Sequence, residues 1–407
     1  MSDAFRSESG PPHPAGHGIH LLPPQFGGAA REASRRRRRV PRGLIIGATA
    51  AVVIGGAFAA VQTSANLRFD DTAAAYAAAR GEAQSALSDL EAADAELAAT
   101  AASADALLAG NTGALMDAVP LDAIDAAVAD ASEVSTTTDE ILGTELEAEP
   151  TKPGWFWELF AGADELEQAQ TDAEDVEDEA EAQVTVVETS DGQLSDAGVA
   201  IISGASAAAG AFETAHISAR NDDVIALRNA ASSTVAPTAL DDDAVTRFAQ
   251  LQAAAAKVVE SEAAELAEKD GPLRAARLEI EAFARSLAPG VLLEFDWAPI
   301  VNGYGDQGSM GGYTTWWWDE PDRSVMLLSN SVAEQWPADR SKALVAHEVG
   351  HAISVKCEDM YDSSTQDSIE KWATAWAIGM GFSDDANGVW AYGYPPQSYI
   401  DAAYGCR

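Results

Sequence analysis

Cysteine is nearly missing from this chain, with two residues in 407. That excludes a disulfide-built scaffold and a cysteine-rich metal cluster. Positive charge is scarce too. Lysine and arginine total 25 against 65 acids, a net charge of −40. A duplex-binding protein held by a broad basic surface is thereby excluded, because phosphate contacts need clustered cations. No nucleic-acid partner is expected. Aromatic residues make up 7% of the chain and gather toward its C-terminal end. Hydrophobic residues reach 47%, but many are alanine, so the length is not one large packed core.

The densest run of positive charge sits at the start. Residues 1–42 hold eight arginines and three acids, so the rest of the chain carries −45. The tail is rich in Pro, Gly, Ser and His without apolar period, and reads as disordered. It ends in Arg35–Arg39 and Arg42, after which residues 43–67 contain no charge. Leu44 to Val61 is apolar but for one threonine, long enough at 1.5 Å per residue to cross a hydrocarbon core of about 30 Å. A cleaved signal peptide is the competing reading. Its apolar core usually runs about 7–15 residues within the first ~30, whereas this one is longer and starts later. The expectation is a single transmembrane helix at 43–65. The arginine cluster directs the N-terminus to the cytoplasm and the C-terminal domain outside the cell membrane. Gly43 and Gly47 form one G-x-x-x-G, a weak signal for pairing with a second copy.

Residues 66–288 are rich in alanine and acid and poor in aromatics. Leu87, Leu90 and Leu97 recur at helical spacing, and alanine favours helix. Breaks are expected at Gly110 and Gly113, at Pro150, Pro153 and Gly154, over Gly192 to Gly210, and at Pro237. Three to five helices follow, as an acidic stalk or coiled-coil-like bundle able to space, oligomerise or bind a partner. Between Asp164 and Glu181 stand ten acids and no base, read as a solvated helix face. Inspection finds no internal repeat of fixed period.

The composition shifts near residue 289. Over 289–407 the pattern is α+β: strands at Val291–Phe295, Tyr313–Trp318 and Val325–Leu328, then two helices. Trp316, Trp317 and Trp318 alternate faces on a strand, as core or as a platform for a peptide or sugar. Pro337 opens a helix running to about Val355.

That helix contains His347-Glu348-Val349-Gly350-His351. Histidines four apart lie one turn apart on one face, so both imidazoles reach a single ion. Glu348 stands beside them, placed to take a proton from water activated by that ion and to pass it to a leaving amine. This is the H-E-x-x-H arrangement of zinc metallopeptidases. A catalytic zinc commonly has three protein ligands. No histidine follows His351, and His216 lies far back in the helical region, so a carboxylate is expected. Glu370 borders the buried face of the next helix, which is expected to begin near Ser364 or Thr365, with Ser364-x-x-Asp367 as a candidate capping box. Glu358, Asp359 and Asp367 are alternatives nearer the turn.

His347, Glu348 and His351, followed by Glu370, Ala373, Thr374, Trp376 and Ala377, resemble the small bacterial zincins of gluzincin type, whose second helix has the form E-x-x-A-D-x-aromatic-A. The resemblance covers 289–407. It implies a zincin-like fold, zinc bound by His347, His351 and Glu370, and Glu348 as general base. Thr374 stands where the pattern has an aspartate that supports a ligand histidine.

Cys357 follows the first helix and Cys406 is penultimate. Outside the membrane they form a disulfide; the rival reading makes Cys357 a zinc ligand. Tyr392, Tyr394, Tyr399 and Tyr404 crowd the last residues, as half-buried tyrosines or as donors to an oxyanion. The functional expectation is a membrane-anchored, zinc-dependent peptidase acting on protein or peptide substrates outside the cell. The alternatives are a non-catalytic envelope scaffold with a vestigial zincin domain, and a cell-wall binder using the tryptophans.

Overall fold

The computed structural model describes residues 42–115, 121–235 and 237–406, with backbone alone over 42–52. The arginine-rich tail, residues 1–41, lies outside the described residues. Two compact units divide the chain at Leu67 and Arg68.

The first helix, α1 (Arg42–Ala109), runs through both units. In the first unit it carries Val53, Ile54, Phe58 and Val61, all exposed. The expected transmembrane segment is thus helical throughout.

The second unit is mostly helical. After α1 come α2 (Asp122–Leu142), α3 (Phe156–Ala215), α4 (Asn221–Ser233), α5 (Asp242–Glu268) and α6 (Arg274–Leu287). That is six helices up to residue 288 among the described residues, where three to five are expected. The breaks at Gly110, at Pro150–Gly154 and at Pro237 are present. The softening over Gly192–Gly210 is not: α3 continues unbroken. Gly198 has a packing role, since a Cβ there would meet the side chain of Leu240 at 2.5 Å. By length and composition α3 is apolar enough to cross a membrane, yet Ile201, Ile202, Ala205 and Ala209 of that stretch belong to the helical core.

Burial along these helices has a seven-residue period. On α1 the buried positions include Phe69, Tyr76, Ala83, Leu90, Leu97 and Ala104; on α3 they include Leu159, Leu166, Ala173, Ala180, Val187, Leu194 and Ile201. A seven-residue stripe keeps one seam of a helix against its neighbour. The sequence conceals it because several of these positions are alanine, and alanine is equally abundant on the outer faces.

Near the C-terminus a small mixed sheet forms from β1 (Leu292–Ala298), β2 (Gly312–Trp317) and β3 (Glu320–Ser329). The strand order is β1-β3-β2, with β1 parallel and β2 antiparallel to β3. Helices α7 (Asn330–Glu334), α8 (Asp339–Ser354) and α9 (Gln366–Gly379) follow, then the short α10 (Val389–Tyr392) and α11 (Gln397–Ala403). Pro337 stands ahead of α8, whose N-cap is Ala338, so it precedes the helix and does not open it. The cap of α9 is Thr365, the second of the two expected starts; its hydroxyl accepts from Ser368 N, so the candidate Ser364–Asp367 box is not the cap.

A second core joins Phe295, Met326 and Leu328 of the sheet to Val345, Val349 and Ile353 of α8 and to Trp372 and Trp376 of α9. It also takes Ile280 and Ala284 from α6. Helix α6 therefore packs with the sheet region although it precedes residue 289. Asn221, at the start of α4, ties the long helices to the sheet: its amide donates to the carbonyl of Ser324 at 2.9 Å and its backbone N–H to Glu294 at 2.7 Å. Cys357 and Cys406 are joined as a disulfide, 49 residues apart, which removes Cys357 from the possible metal ligands.

Candidate metal centre

Helix α8 brings His347 and His351 to one buried face, as their spacing requires. Helix α9 crosses it closely. Gly350 permits this approach: a Cβ there would meet the backbone of Ala373 at 2.8 Å. The crossing sets Glu370 opposite both histidines. His347 Nε2 lies 3.2 Å from Glu370 Oε2, His351 Nε2 lies 3.1 Å from the same oxygen, and the two Nε2 atoms are 3.2 Å apart. His347, His351 and Glu370 thus form a compact triangle of possible ligand atoms. The acids Glu265, Glu268 and Asp296 form another such group, but Glu265 is paired with Arg220 and Lys269.

The triangle suits a divalent ion by two tests. Zinc bonds of about 2.0–2.2 Å in a tetrahedron place ligand atoms roughly 3.3–3.6 Å apart, close to the observed edges. The second test is chemical. His347 Nδ1 faces the carbonyl of Asn387 at 2.9 Å, so Nδ1 carries a proton, and a ring with only that proton turns a lone pair toward Glu370. A buried lone pair and a largely covered carboxylate oxygen need a cation or a proton between them. Burial by itself pushes the Glu370 carboxyl up; with protons on the facing imidazole nitrogens, their hydrogen bonds and positive charge hold it well below the usual carboxylate range. Its other oxygen accepts from Gln366 Nε2 at 2.8 Å, which aims Oε2 at the histidines.

Glu348 is buried beside the triangle. Its Oε2 accepts from the hydroxyl of Thr314, on β2, at 2.7 Å. Burial pushes its carboxyl up, against the pull of His347 and of the Thr314 hydrogen bond. Trp316, two residues along the same strand, stacks on His351 with centroids 5.3 Å apart and planes 3° from parallel. Trp317 on the other face covers Arg323, and Trp318 is exposed. Tyr392 stacks on the outer side of His347 at 5.8 Å. Burial and the nearby Glu370 carboxylate keep its phenol protonated far above the ordinary tyrosine range. Tyr399 instead bonds Ser368, and Tyr394 and Tyr404 are exposed.

Thr374 does not act as the aspartate of the resembled pattern. Its hydroxyl donates to the carbonyl of Glu370 at 2.8 Å and lies 3.4 Å from His347 Nδ1. The closer partner of that nitrogen is the Asn387 carbonyl, held by the turn at Gly388. Gly388 has φ +106°, and a Cβ there would meet Thr374 Oγ1 at 2.2 Å and the His347 ring at 2.7 Å. Of the alternative ligands, Glu358 accepts from Ser363 and Asp367 pairs with Lys371. His216 pairs with Glu262 at 2.6 Å.

Gln366, Thr314, Asn387 and Gly388 join the site without being expected there. The adjacent Asn387-Gly388 pair is a turn signal, and Gln366 stands four residues before Glu370 on a helix face. Thr314 has no local signal. A cleft of about 770 Å³ opens beside His347 and Glu348, walled by Tyr304, Met310, Arg340, Leu344 and Trp390 among others. The chain matches no protein-family model, no curated protein and no solved structure.

Proposed function

We propose that this chain is a membrane-anchored zinc metallopeptidase that hydrolyses peptide bonds outside the cell. One observation carries the reading: the ligand atoms of His347, His351 and Glu370 converge within 3.2 Å of one another, with the Glu348 carboxylate beside them and a cleft in front. The zincin resemblance of 289–407 agrees with it. Those three residues would hold the zinc. Zinc bound there supplies a Lewis acid that polarises a peptide carbonyl and acidifies water.

The chain's own groups do the rest. Glu348 takes the proton from the attacking water and delivers it to the leaving amine. Thr314 fixes one oxygen of that carboxylate and leaves the other, which lies against Gly312, to serve the reacting water. Tyr392, which keeps its proton, donates a hydrogen bond to the oxyanion of the tetrahedral adduct. The Asn387 carbonyl holds the His347 ring in the tautomer that leaves Nε2 free for the metal.

The membrane reading rests on the uncharged run 43–67, the arginines before it, and the exposed apolar residues Val53, Ile54, Phe58 and Val61. Arginine on the N-terminal side orients a single pass with the catalytic domain outside. A disulfide suits that compartment. The seven-residue burial period favours a coiled-coil-like stalk over residues 66–288.

The test uses the full chain in detergent. Elemental analysis should find about one zinc per chain, as for a single site, and much less in Glu370→Ala. Glu348→Gln should keep the zinc and lose cleavage of unfolded casein. A wild type that takes up no supplied zinc, or a Glu348→Gln variant that cleaves as well as wild type, would sink the proposal.

A further inference from the structure

We infer that Arg340 selects the substrate: its guanidinium takes one carboxylate of the cleaved peptide, within about three residues of the scissile bond. The inference rests on the peptidase reading and adds a class of substrate to it.

Arg340 lines the same cleft as His347 and Glu348. It stands on α8 seven residues before His347, and Leu344 lines the cleft between them. Residues at i, i+4 and i+7 share one face of a helix. The cleft therefore runs along α8 from the candidate centre toward the start of that helix. Seven residues are roughly 10 Å of helix at 1.5 Å each. An extended peptide covers that length in about three residues at ~3.3 Å each.

Nothing in the fold employs this side chain. Arg340 is exposed and, among the described residues, has no hydrogen-bond, ion-pair or ring partner. Acids to pair with are plentiful, since residues 289–407 hold 17 of them against six lysines and arginines. Arg323 pairs with Asp222 and Glu320, Lys356 with Asp322, and Lys371 with Asp367. Lys342 is unpaired among the described residues as well, but it is not part of the cleft lining. The first turn of a helix is also an unfavourable place for a cation, because the backbone dipole already puts positive charge there. Arg340 thus stabilises neither α8 nor a contact with another element, and its charge is free to serve the cleft.

A guanidinium offers a carboxylate two parallel N–H donors. Asp384 and Asp385 line the cleft too. Asp384 turns one oxygen to its own loop, accepting from Ala386 N at 3.0 Å, and neither acid pairs with Arg340. Two carboxylates in the wall repel a segment that is acidic throughout. The preference is therefore for a single carboxylate at one distance from the bond, carried by an Asp or Glu side chain or by the C-terminus of a short peptide.

The test gives the zinc-loaded full chain, in detergent, dephosphorylated unfolded casein and reads the cut sites by mass spectrometry. We expect Asp, Glu or a free C-terminus to be enriched at one position within about three residues of the cut. Arg340→Glu should still take up zinc. It should cut the preferred sites roughly three- to tenfold more slowly, since an exposed pair is worth a few-fold and a bidentate one more. It should also turn to Lys or Arg at the same position, a reversal that loss of a structural contact does not produce. Peptides ending within that distance of the cut, made as free acids and as amides, tell the two sources apart: amidation slows cleavage where the terminus is read and leaves it unchanged where a side chain is. Wild-type sites without such a carboxylate, or an unchanged site profile in Arg340→Glu, overturn the inference and leave the peptidase reading standing. A zinc-loaded wild type that leaves casein uncut overturns both.

Discussion

His347 donates its Nδ1 proton to the main-chain carbonyl of Asn387 at 2.9 Å, across 40 residues of sequence. This bond orients one candidate metal ligand from a loop that belongs to neither helix of the site. It takes the place that an aspartate at position 374 holds in the pattern this domain resembles. A backbone carbonyl is an adequate substitute, because what the ring needs is an acceptor on Nδ1 and not a charge.

The first prediction follows from that bond. Gly388→Ala forces a side chain into a left-handed turn and against Thr374 and His347. The loop must shift, and the Asn387 carbonyl with it. Zinc affinity, measured by competition with a chelator, should fall about 10–100-fold, while far-ultraviolet circular dichroism stays unchanged. Unaltered affinity would show that the carbonyl does not orient the ring.

Thr314→Val removes the hydroxyl 2.7 Å from Glu348 Oε2 and keeps the shape. Losing the donor to a buried carboxylate costs about 1–3 kcal/mol. Zinc content should hold, and kcat should fall by roughly tenfold or more. Glu348→Gln should fall further, by about 10²–10⁴, the usual range for a positioned acid–base group. An equal loss of zinc in both variants would mean that they damage the site and not the proton transfer.

Lys269 tests the link between the long helices and the sheet region. It is buried, with Nζ 3.3 Å from Glu265 and 3.3 Å from Glu281, both buried as well. Lys269→Met leaves Glu265 to Arg220, and Glu281 to Arg285 and the Trp297 indole. Breaking a buried pair costs about 3–5 kcal/mol, so the urea midpoint should drop markedly. Lys257→Met, at an exposed pair with Glu260, should change it little.

Glu294 supplies a pH test away from the candidate centre. Burial pushes its carboxyl above the ordinary range, although the Asn221 N–H donates to it. A raised folded-state value means that the folded protein binds the proton more tightly than the unfolded chain. Stability from this group is therefore lost as pH rises from the ordinary glutamate range through the raised value. Glu294→Gln removes the titration and keeps an acceptor oxygen. Its Tm relative to wild type should rise with pH across that window; a constant difference would contradict the burial account.

Much of the site is legible in the sequence. The spacing of the candidate ligands His347 and His351 is a property of one helix, and Glu370 borders the apolar stripe of the next. Strands β1 and β2 begin at Leu292 and Gly312, beside the expected Val291 and Tyr313, whereas β3 starts at Glu320 and not at Val325. The first half of β3 pairs as the outer arm of a hairpin, with Trp317 opposite Glu320, and carries too many polar residues to read as a strand alone. The seven-residue seam is hidden for the opposite reason: small apolar residues on every face leave no contrast for a period to show.

The sequence by itself determined what short-range geometry controls. It set the uncharged run, the helical breaks at glycine and proline, and the two imidazoles one turn apart. Tertiary structure alone decided which groups complete the centre. Thr314 reaches Glu348 because β2 lies alongside α8, and the Asn387 carbonyl reaches His347 because the Gly388 turn folds over the crossing of α8 and α9. Those contacts span 34 and 40 residues. Their partners are a hydroxyl and a backbone carbonyl, groups found throughout any chain, so only packing distinguishes the ones that matter.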